Sequence, residues 1–199
     1  MHSFTRCASP GCRSIVFHDS STCLAHHPDP ASAEAAVAAI LSAEIGTKDV
    51  NAAGARLEGL DLSRRRFVGC SFMGASLKNV LFTGSTLLLC FFDGSSFESC
   101  DFSGVNGQFC SFGDSAIVDS SFEGSEMIHC NFDGTRIRDS TFSGSNLYDS
   151  RFIKGTIEDT AIENCDLKRV YIIPSRQSGV SFKGSNTMEA IRDLEHLYI

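Results

Sequence analysis

From Leu57 to Ile172 a slot recurs at every fifth residue, 24 times in succession without an insertion, and only Gly107 among them is not a large apolar residue. The series opens Leu57, Leu62, Phe67, Phe72, Leu77, Phe82 and closes Ile157, Ile162, Leu167, Ile172. Two residues before the slot there is usually a small residue, as at Ala55, Cys70, Ala75, Ser95, Cys100, Ser115, Cys130, Ser140 and Cys165, the exceptions being Leu60 and Arg65. Two inward residues in every five fit neither the 3.6 period of a helix nor the period of 2 of a strand. They fit a chain that turns a corner every five residues, with the large side chain at the axis and the small one beside it. Glycine often follows two residues after the large one, at Gly74, Gly84, Gly94, Gly104, Gly124, Gly134 and Gly144, as suits a corner with positive φ or crowded backbone. The 16 Phe and the absence of Trp agree with one packing solution used repeatedly.

If four repeats make a coil, residues twenty apart stack. One interior column then reads Phe72, Phe92, Phe112, Phe132, Phe152, Ile172 and another Leu62, Phe82, Phe102, Phe122, Phe142, Ile162, while the two between them are mostly aliphatic. Two Phe columns facing each other across the axis support four sides. The slots give six coils, about 29 Å of rod at about 4.8 Å per strand.

Units such as Cys70-Ser71-Phe72-Met73-Gly74 and Cys130-Asn131-Phe132-Asp133-Gly134 resemble those of the pentapeptide-repeat family, and the likeness covers residues 55–173. The resemblance implies an all-β solenoid, a right-handed four-sided parallel β-helix without catalytic activity. Ser or Cys replaces the family's commoner Ala at the small position. Some members resemble duplex DNA in width and acidity and bind type II topoisomerases in its place. In those members a C-terminal helix commonly pairs two β-helices end to end.

Outside the repeat lie three further segments: residues 1–30, a helix over 31–46, and a short helix over 185–199, with the β-helix itself at 55–175. The first holds Cys7-Ala-Ser-Pro-Gly-Cys12 and Cys23-Leu-Ala-His26-His27. Pro10-Gly11 supplies a tight turn. Three thiolates and one imidazole satisfy a closed tetrahedral site for structural Zn2+, formed by Cys7, Cys12, Cys23 and His26, with His27 as the fallback ligand. So short a segment builds no core alone, which makes a metal staple physically reasonable. The Ala-rich helix can be capped by Asp29 or Ser32, carries Ala33, Ala36, Val37, Ile40 and Leu41 on one face, and meets Gly46 at a C′ position. In the last segment Met188, Ile191, Leu194 and Leu197 recur at helical spacing, as a cap over the final coil or as a dimer contact.

Cys70, Cys90, Cys110 and Cys130 share one column. Ligands stacked on one side cannot surround a tetrahedral ion, so these are read as small apolar fillers. Gly107 implies a local cavity or bulge filled by Phe109, or else a kink. The residue after each large one faces solvent. On one side that column reads Val68, Leu88, Gln108, Ile128, Tyr148, Lys168 and is the most apolar of the four; Leu89 and Phe109 stand at the adjoining corner, and Phe91 and Tyr171 just beyond it. Soluble monomers rarely leave such a surface bare. Its expected cover is the protein's own N-terminal segment, a partner protein or a second copy in a homodimer.

Net charge is −7, which disfavours direct nucleic-acid binding because counterion release needs Lys and Arg; Arg6 and Arg13 make only a thin basic patch on the Cys-rich segment. No Lys or Arg occurs between Lys78 and Arg136, a stretch holding Asp93, Glu98, Asp101, Asp114, Asp119, Glu123, Glu126 and Asp133. No apolar run is long enough to span a membrane, and no apolar segment follows Met1 as in a secretory signal. With an odd number of Cys, nine, the expectation is reduced thiols in the cytoplasm. No nucleophile-and-base pattern or phosphate loop stands out, and His129 reads as solvated. The resulting expectation is a non-catalytic protein-binding scaffold, with a DNA-mimicking modulator of a type II topoisomerase such as gyrase as the alternative.

Overall fold

The computed structural model describes residues 5–43 and 45–193. Its body is an all-parallel β-solenoid. Each strand is three residues long, as at Ser76–Lys78, with the central residue buried and its neighbours facing out, except in the last, Arg176–Ser178, where Gln177 is exposed. Residues pair with those twenty further on: Leu57 with Leu77, Leu77 with Phe97, and so on to Ile157 with Gln177. This side is a seven-stranded sheet running from Arg56–Glu58 to Arg176–Ser178. The opposite side is a five-stranded sheet from Gly46–Lys48 to Glu126–Ile128. Between them run two columns of single parallel bridges, one through Asn51, Ser71 and Phe91, the other through Asp61, Leu81 and Asp101. The first of these becomes a two-stranded sheet where Arg151–Ile153 pairs with Tyr171–Ile173.

The seven-stranded side counts about seven coils, one more than the apolar slots indicate. Thr47 and Gln177 occupy equivalent positions before and after the slots. They are polar, so a count of apolar residues passes over them.

Every coil turns through residues with positive φ, two after each buried one. Glycine fills many of these positions, as at Gly74 (φ 66°) and Gly94 (φ 68°). Beside the strand-bearing sides Asp, Asn and Ser serve, as at Asp119 and Asn79, since their short polar side chains tolerate this region.

Inside, Phe72, Phe92, Phe112, Phe132 and Phe152 form one stack with ring centroids 4.6–4.9 Å apart. Phe82, Phe102, Phe122 and Phe142 form a second at 4.6–4.7 Å. The stacks meet edge to face across the axis, as between Phe82 and Phe92 at 6.1 Å and 87°. The offset and T-shaped geometries that ring quadrupoles favour are thus repeated in each coil. Gly107 leaves no cavity for Phe109 to fill. A Cβ there would lie 2.6 Å from Met127 Sδ, so the unbranched Met127 fills the space and Phe109 is left at the surface.

Helix α1 spans Pro30–Ala43. The Asp29 carboxylate accepts from the Ser32 amide at 3.1 Å, which makes Asp29 the cap and Pro30 the first helical residue, where a missing N–H costs nothing. The helix ends before Gly46, which instead pairs with Arg66 as the first strand residue. Val37 and Leu41 are buried in the solenoid's core cluster, with Ala33 and Ile40 packed on it, while Ala36 faces out. α1 therefore closes the N-terminal end of the rod, which would otherwise expose apolar rings and strand edges. At the other end the expected helix is replaced, over its described part, by a 3-10 turn at Thr187–Glu189. Ile191 continues the solenoid by pairing with Tyr171. Met188 is 96% exposed, so the helical spacing of these two residues reflects no shared face. Leu194 and Leu197 lie outside the described residues.

Candidate functional site

Two places carry chemistry beyond the repeat. The first is the Cys-rich segment. Arg6 bridges Ile15 in antiparallel fashion, and the Cys7 amide donates to Ser14 O at 2.9 Å. The intervening turn runs through Gly11 at φ 76°, which sets Cys7 and Cys12 on its two arms. A 3-10 turn at Leu24–His26, closed by the His26 amide donating to Cys23 O, presents Cys23 and His26 together. The ligand atoms of Cys7, Cys12, Cys23 and His26 all lie within 4.8 Å of one another. Cys12 Sγ is 3.8 Å from Cys23 Sγ, too far for a disulfide. His26 Nδ1 is 3.6 Å from Cys7 Sγ and 3.3 Å from Cys23 Sγ. A tetrahedral ion with metal–sulfur bonds of about 2.3 Å and metal–nitrogen bonds of about 2.0–2.1 Å holds its ligand atoms about 3.5–3.8 Å apart. The cluster therefore fits a metal ion. His27 takes no part, since its Nδ1 accepts from the Asp29 amide at 3.1 Å.

The electrostatics agree. Burial works to raise the Cys7 thiol, but the backbones of Cys23 and Ser9, the Ser9 hydroxyl and the His26 ring favour its thiolate and bring it down to about 6. Cys23 is pushed up, first by burial and then by the neighbouring Cys7 and Cys12 thiols. A central cation would relieve that crowding of negative charge.

The module is anchored to the rod. Phe17, 1% exposed, enters the core cluster of the solenoid. The His18 amide donates to Asn51 O at 3.0 Å, and Asn51 Nδ2 donates back to Val16 O. An open cleft of about 480 Å³ remains between the module, α1 and the first coils, lined by Ile15, Leu24, Glu34, Arg56 and Met73 among others.

The cysteine column within the rod is different. Cys70, Cys90, Cys110 and Cys130 are buried, and each thiol donates to backbone carbonyls, as Cys110 does to Leu87 O at 3.4 Å. The Cys70 thiol is pushed up chiefly by its hydrogen bond with Cys90 and then by burial. These are packed side chains whose thiols are spent on backbone carbonyls.

The second place is the apolar side. The N-terminal segment caps the end of the rod, so the expectation that it covers this side is corrected. Val68, Leu88, Phe91, Ile128, Tyr148 and Tyr171 are half-buried, while Leu89 and Phe109 are 49% and 51% exposed. Leu89 and Phe109 also hold φ of 53° and 54°, where a bulky L-residue is strained by about 1–2 kcal/mol. His129 is exposed, as expected, and also stacks on Phe109 at 4.9 Å and lies edge-on to Tyr148 at 5.8 Å. Its Nδ1 is 3.2 Å from the Asp149 carboxylate. Arg169 completes the corner, 3.6 Å from the same carboxylate and over the Tyr148 ring. The twenty-residue offset from Leu89 through Phe109 and His129 to Asp149 and Arg169 is the sequence signal for this grouping.

These features define a parallel β-solenoid whose axis is filled by stacked side chains, with a metal-ligating module at one end. The family model for pentapeptide repeats matches residues 53–88, 75–106, 110–152 and 130–169, more than half of the chain. The chain belongs to the pentapeptide-repeat family, a non-catalytic one, and no catalytic grouping is evident among the described residues. No curated protein matches it. Among solved structures it is similar to a pentapeptide repeat protein from the thylakoid lumen of Arabidopsis thaliana, at 16% identity and a TM-score of 0.39, over 52% of this chain and 66% of that one, just under two thirds. It is also similar to QnrB1, a plasmid-mediated fluoroquinolone resistance protein, at 18% identity and a TM-score of 0.37, over 76% and 83% of the two chains. A third is HetL of the cyanobacterium Nostoc, involved in heterocyst differentiation regulation, at 8% identity and a TM-score of 0.23, over 73% and 84%. Among the described residues no helix is long and apolar enough to cross a membrane.

Proposed function

We propose that this chain is a protein-binding scaffold that acts through the outer surface of its rod. The observation that carries this reading is the solvent-facing pair Leu89 and Phe109, held in a strained backbone region beside further apolar side chains. Most corners of the rod carry glycine or a polar residue at this φ and these two carry bulky apolar ones, and large exposed apolar patches mark interaction surfaces. The partner is another protein or a second copy of the chain. The test compares wild type with Leu88→Asp/Leu89→Asp in pull-downs and light scattering. The reading predicts a retained species that the double variant loses; identical behaviour of the two, both folded, overturns it.

A second reading is a modulator of a type II topoisomerase that imitates duplex DNA. It is favoured by the middle coils, where no cation lies between Lys78 and Arg136. Part of that acidity is neutralised from outside the stretch, since Lys78 pairs with Glu98 at 2.7 Å and Arg151 with Asp133 at 2.8 Å. A gyrase supercoiling assay, with and without a quinolone, tests it; no change in either condition removes it.

We further propose that residues 1–30 act as a unit holding one structural Zn2+ through Cys7, Cys12, Cys23 and His26. The soft thiolate-rich set and the ligand-atom separations support zinc. All four positions are taken by protein, which leaves no place for a catalytic water. Metal analysis of purified chain should give close to one zinc per chain, and less than about one per two chains would overturn the assignment.

A further inference from the structure

The apolar side also constrains the shape of whatever lies on it. We infer that its occupant is an amphipathic α-helix lying along the rod axis, apolar in the middle and acidic at both ends. This inference rests on the protein-binding reading and specifies the partner.

Extended peptides commonly bind by adding a strand to a free sheet edge. Within the rod each strand is bonded to the coils before and after it, as Arg66–Val68 is to Gly46–Lys48 and Thr86–Leu88. Free edges can therefore occur only at the two ends of the solenoid, and the long sides offer side chains alone. Along this side, contacts recur once per coil, about every 4.8 Å. A helix stripe of apolar residues at i, i+3/i+4 and i+7 recurs at about 5.3 Å, since each residue rises 1.5 Å. Alternate residues of an extended strand recur at about 6.6–6.8 Å, and drift out of register within two or three coils.

The ends of the side fix the charge. The outward column runs from Lys48 to Lys168 through Val68, Leu88, Gln108, Ile128 and Tyr148, apolar but for Gln108. Arg66 stands in the strand next to that of Lys48, and Arg169 follows Lys168. Lys48 and Arg169 have carboxylates nearby, Asp49 at 4.0 Å and Asp149 at 3.6 Å. Among the described residues no carboxylate pairs with Arg66 or Lys168, both exposed. From Lys48 to Lys168 is six coil spacings, about 29 Å, the length of a helix of about nineteen residues. A helix with carboxylates near both ends and leucine-like residues between them would meet cation, apolar stripe and cation in turn.

The test selects displayed random 20-residue peptides against the full chain, with counter-selection on Leu88→Asp/Leu89→Asp. Recovered peptides should carry apolar residues at helical spacing with acidic ends, and become helical on binding, as read by circular dichroism. Phe109→Asn, which suits its left-handed corner and should not unfold the chain, should weaken them at least about tenfold by loss of an aromatic anchor. Arg66→Glu/Lys168→Glu should weaken them while leaving variants with lysine at the peptide ends improved. Recovered peptides with a period of two, or rich in proline, that still depend on Leu88 and Leu89 would overturn the helix and leave protein binding standing. Recovery of no peptide that depends on this side would overturn the helix, and the scaffold reading would then stand or fall on its own pull-down.

Discussion

At the scale of single residues, Phe109 and Gly107 show how one slot of the repeat can be used in opposite ways. Phe109 occupies a corner that glycine or asparagine fits better, with φ of 54° and half its surface in water. Phe109→Asn should therefore stabilise the chain by about 1 kcal/mol, measured as a higher midpoint in urea, while weakening partner binding. A loss of stability would show that its stacking on His129 outweighs the backbone strain. Gly107 makes room for Met127. Gly107→Ala should cost about 1–3 kcal/mol by overpacking, and combining it with Met127→Ala should cost less than the two changes added, because the clash and the void cancel in part. The sequence marks Gly107 as an exception. It does not reveal Met127 as the filler, because that depends on where a flexible thioether turns.

Elements behave differently at the two ends of the rod. The Phe stacks are continuous, so an interior ring such as Phe112 contacts rings in the coils before and after it as well as across the axis. Phe112→Ala should cost about 3–5 kcal/mol, visible as a single lowered unfolding transition. The N-terminal module depends on Phe17 and on its ligands. On the proposal that the module holds a metal, chelation should release the ion, expose Cys7, Cys12 and Cys23 to a thiol reagent, and leave the other six of the nine free cysteines protected until denaturant is added. Early reaction of the column thiols would show that the solenoid opens together with its cap. Reading the elements from sequence succeeds where period and chemistry coincide: the stacks, the Pro10-Gly11 turn and the Asp29 cap. It misplaces elements where apolar spacing misleads. Met188 and Ile191 lie three residues apart, yet one points to water and the other lies in a parallel bridge. Where polar residues take apolar slots, as at Thr47 and Gln177, a whole coil goes uncounted.

On the scale of the whole molecule, the N-terminal end is closed by α1 and the Cys-rich segment, and the apolar side of the rod remains uncovered by any described segment. That arrangement was not legible in the sequence, which offered the helix and a partner as rival covers for the same surface. The deciding terms are tertiary: Val37, Leu41 and Phe17 join the core cluster at the open end of the rod. The twenty-residue register has a consequence for measuring distance. Each coil is one rung, and the strand-to-strand pairing after Arg136 repeats that after Thr156. Excising residues 137–156 should join Arg136 to Ile157 in register and keep both ends, the Cys-rich segment and the Leu89–Phe109 corner, while bringing Lys48 and Lys168 about 4.8 Å closer. The shortened chain should fold, as circular dichroism would show. It should prefer a helical ligand about three residues shorter than the parent does, which makes the protein a gauge whose span is set by the number of rungs.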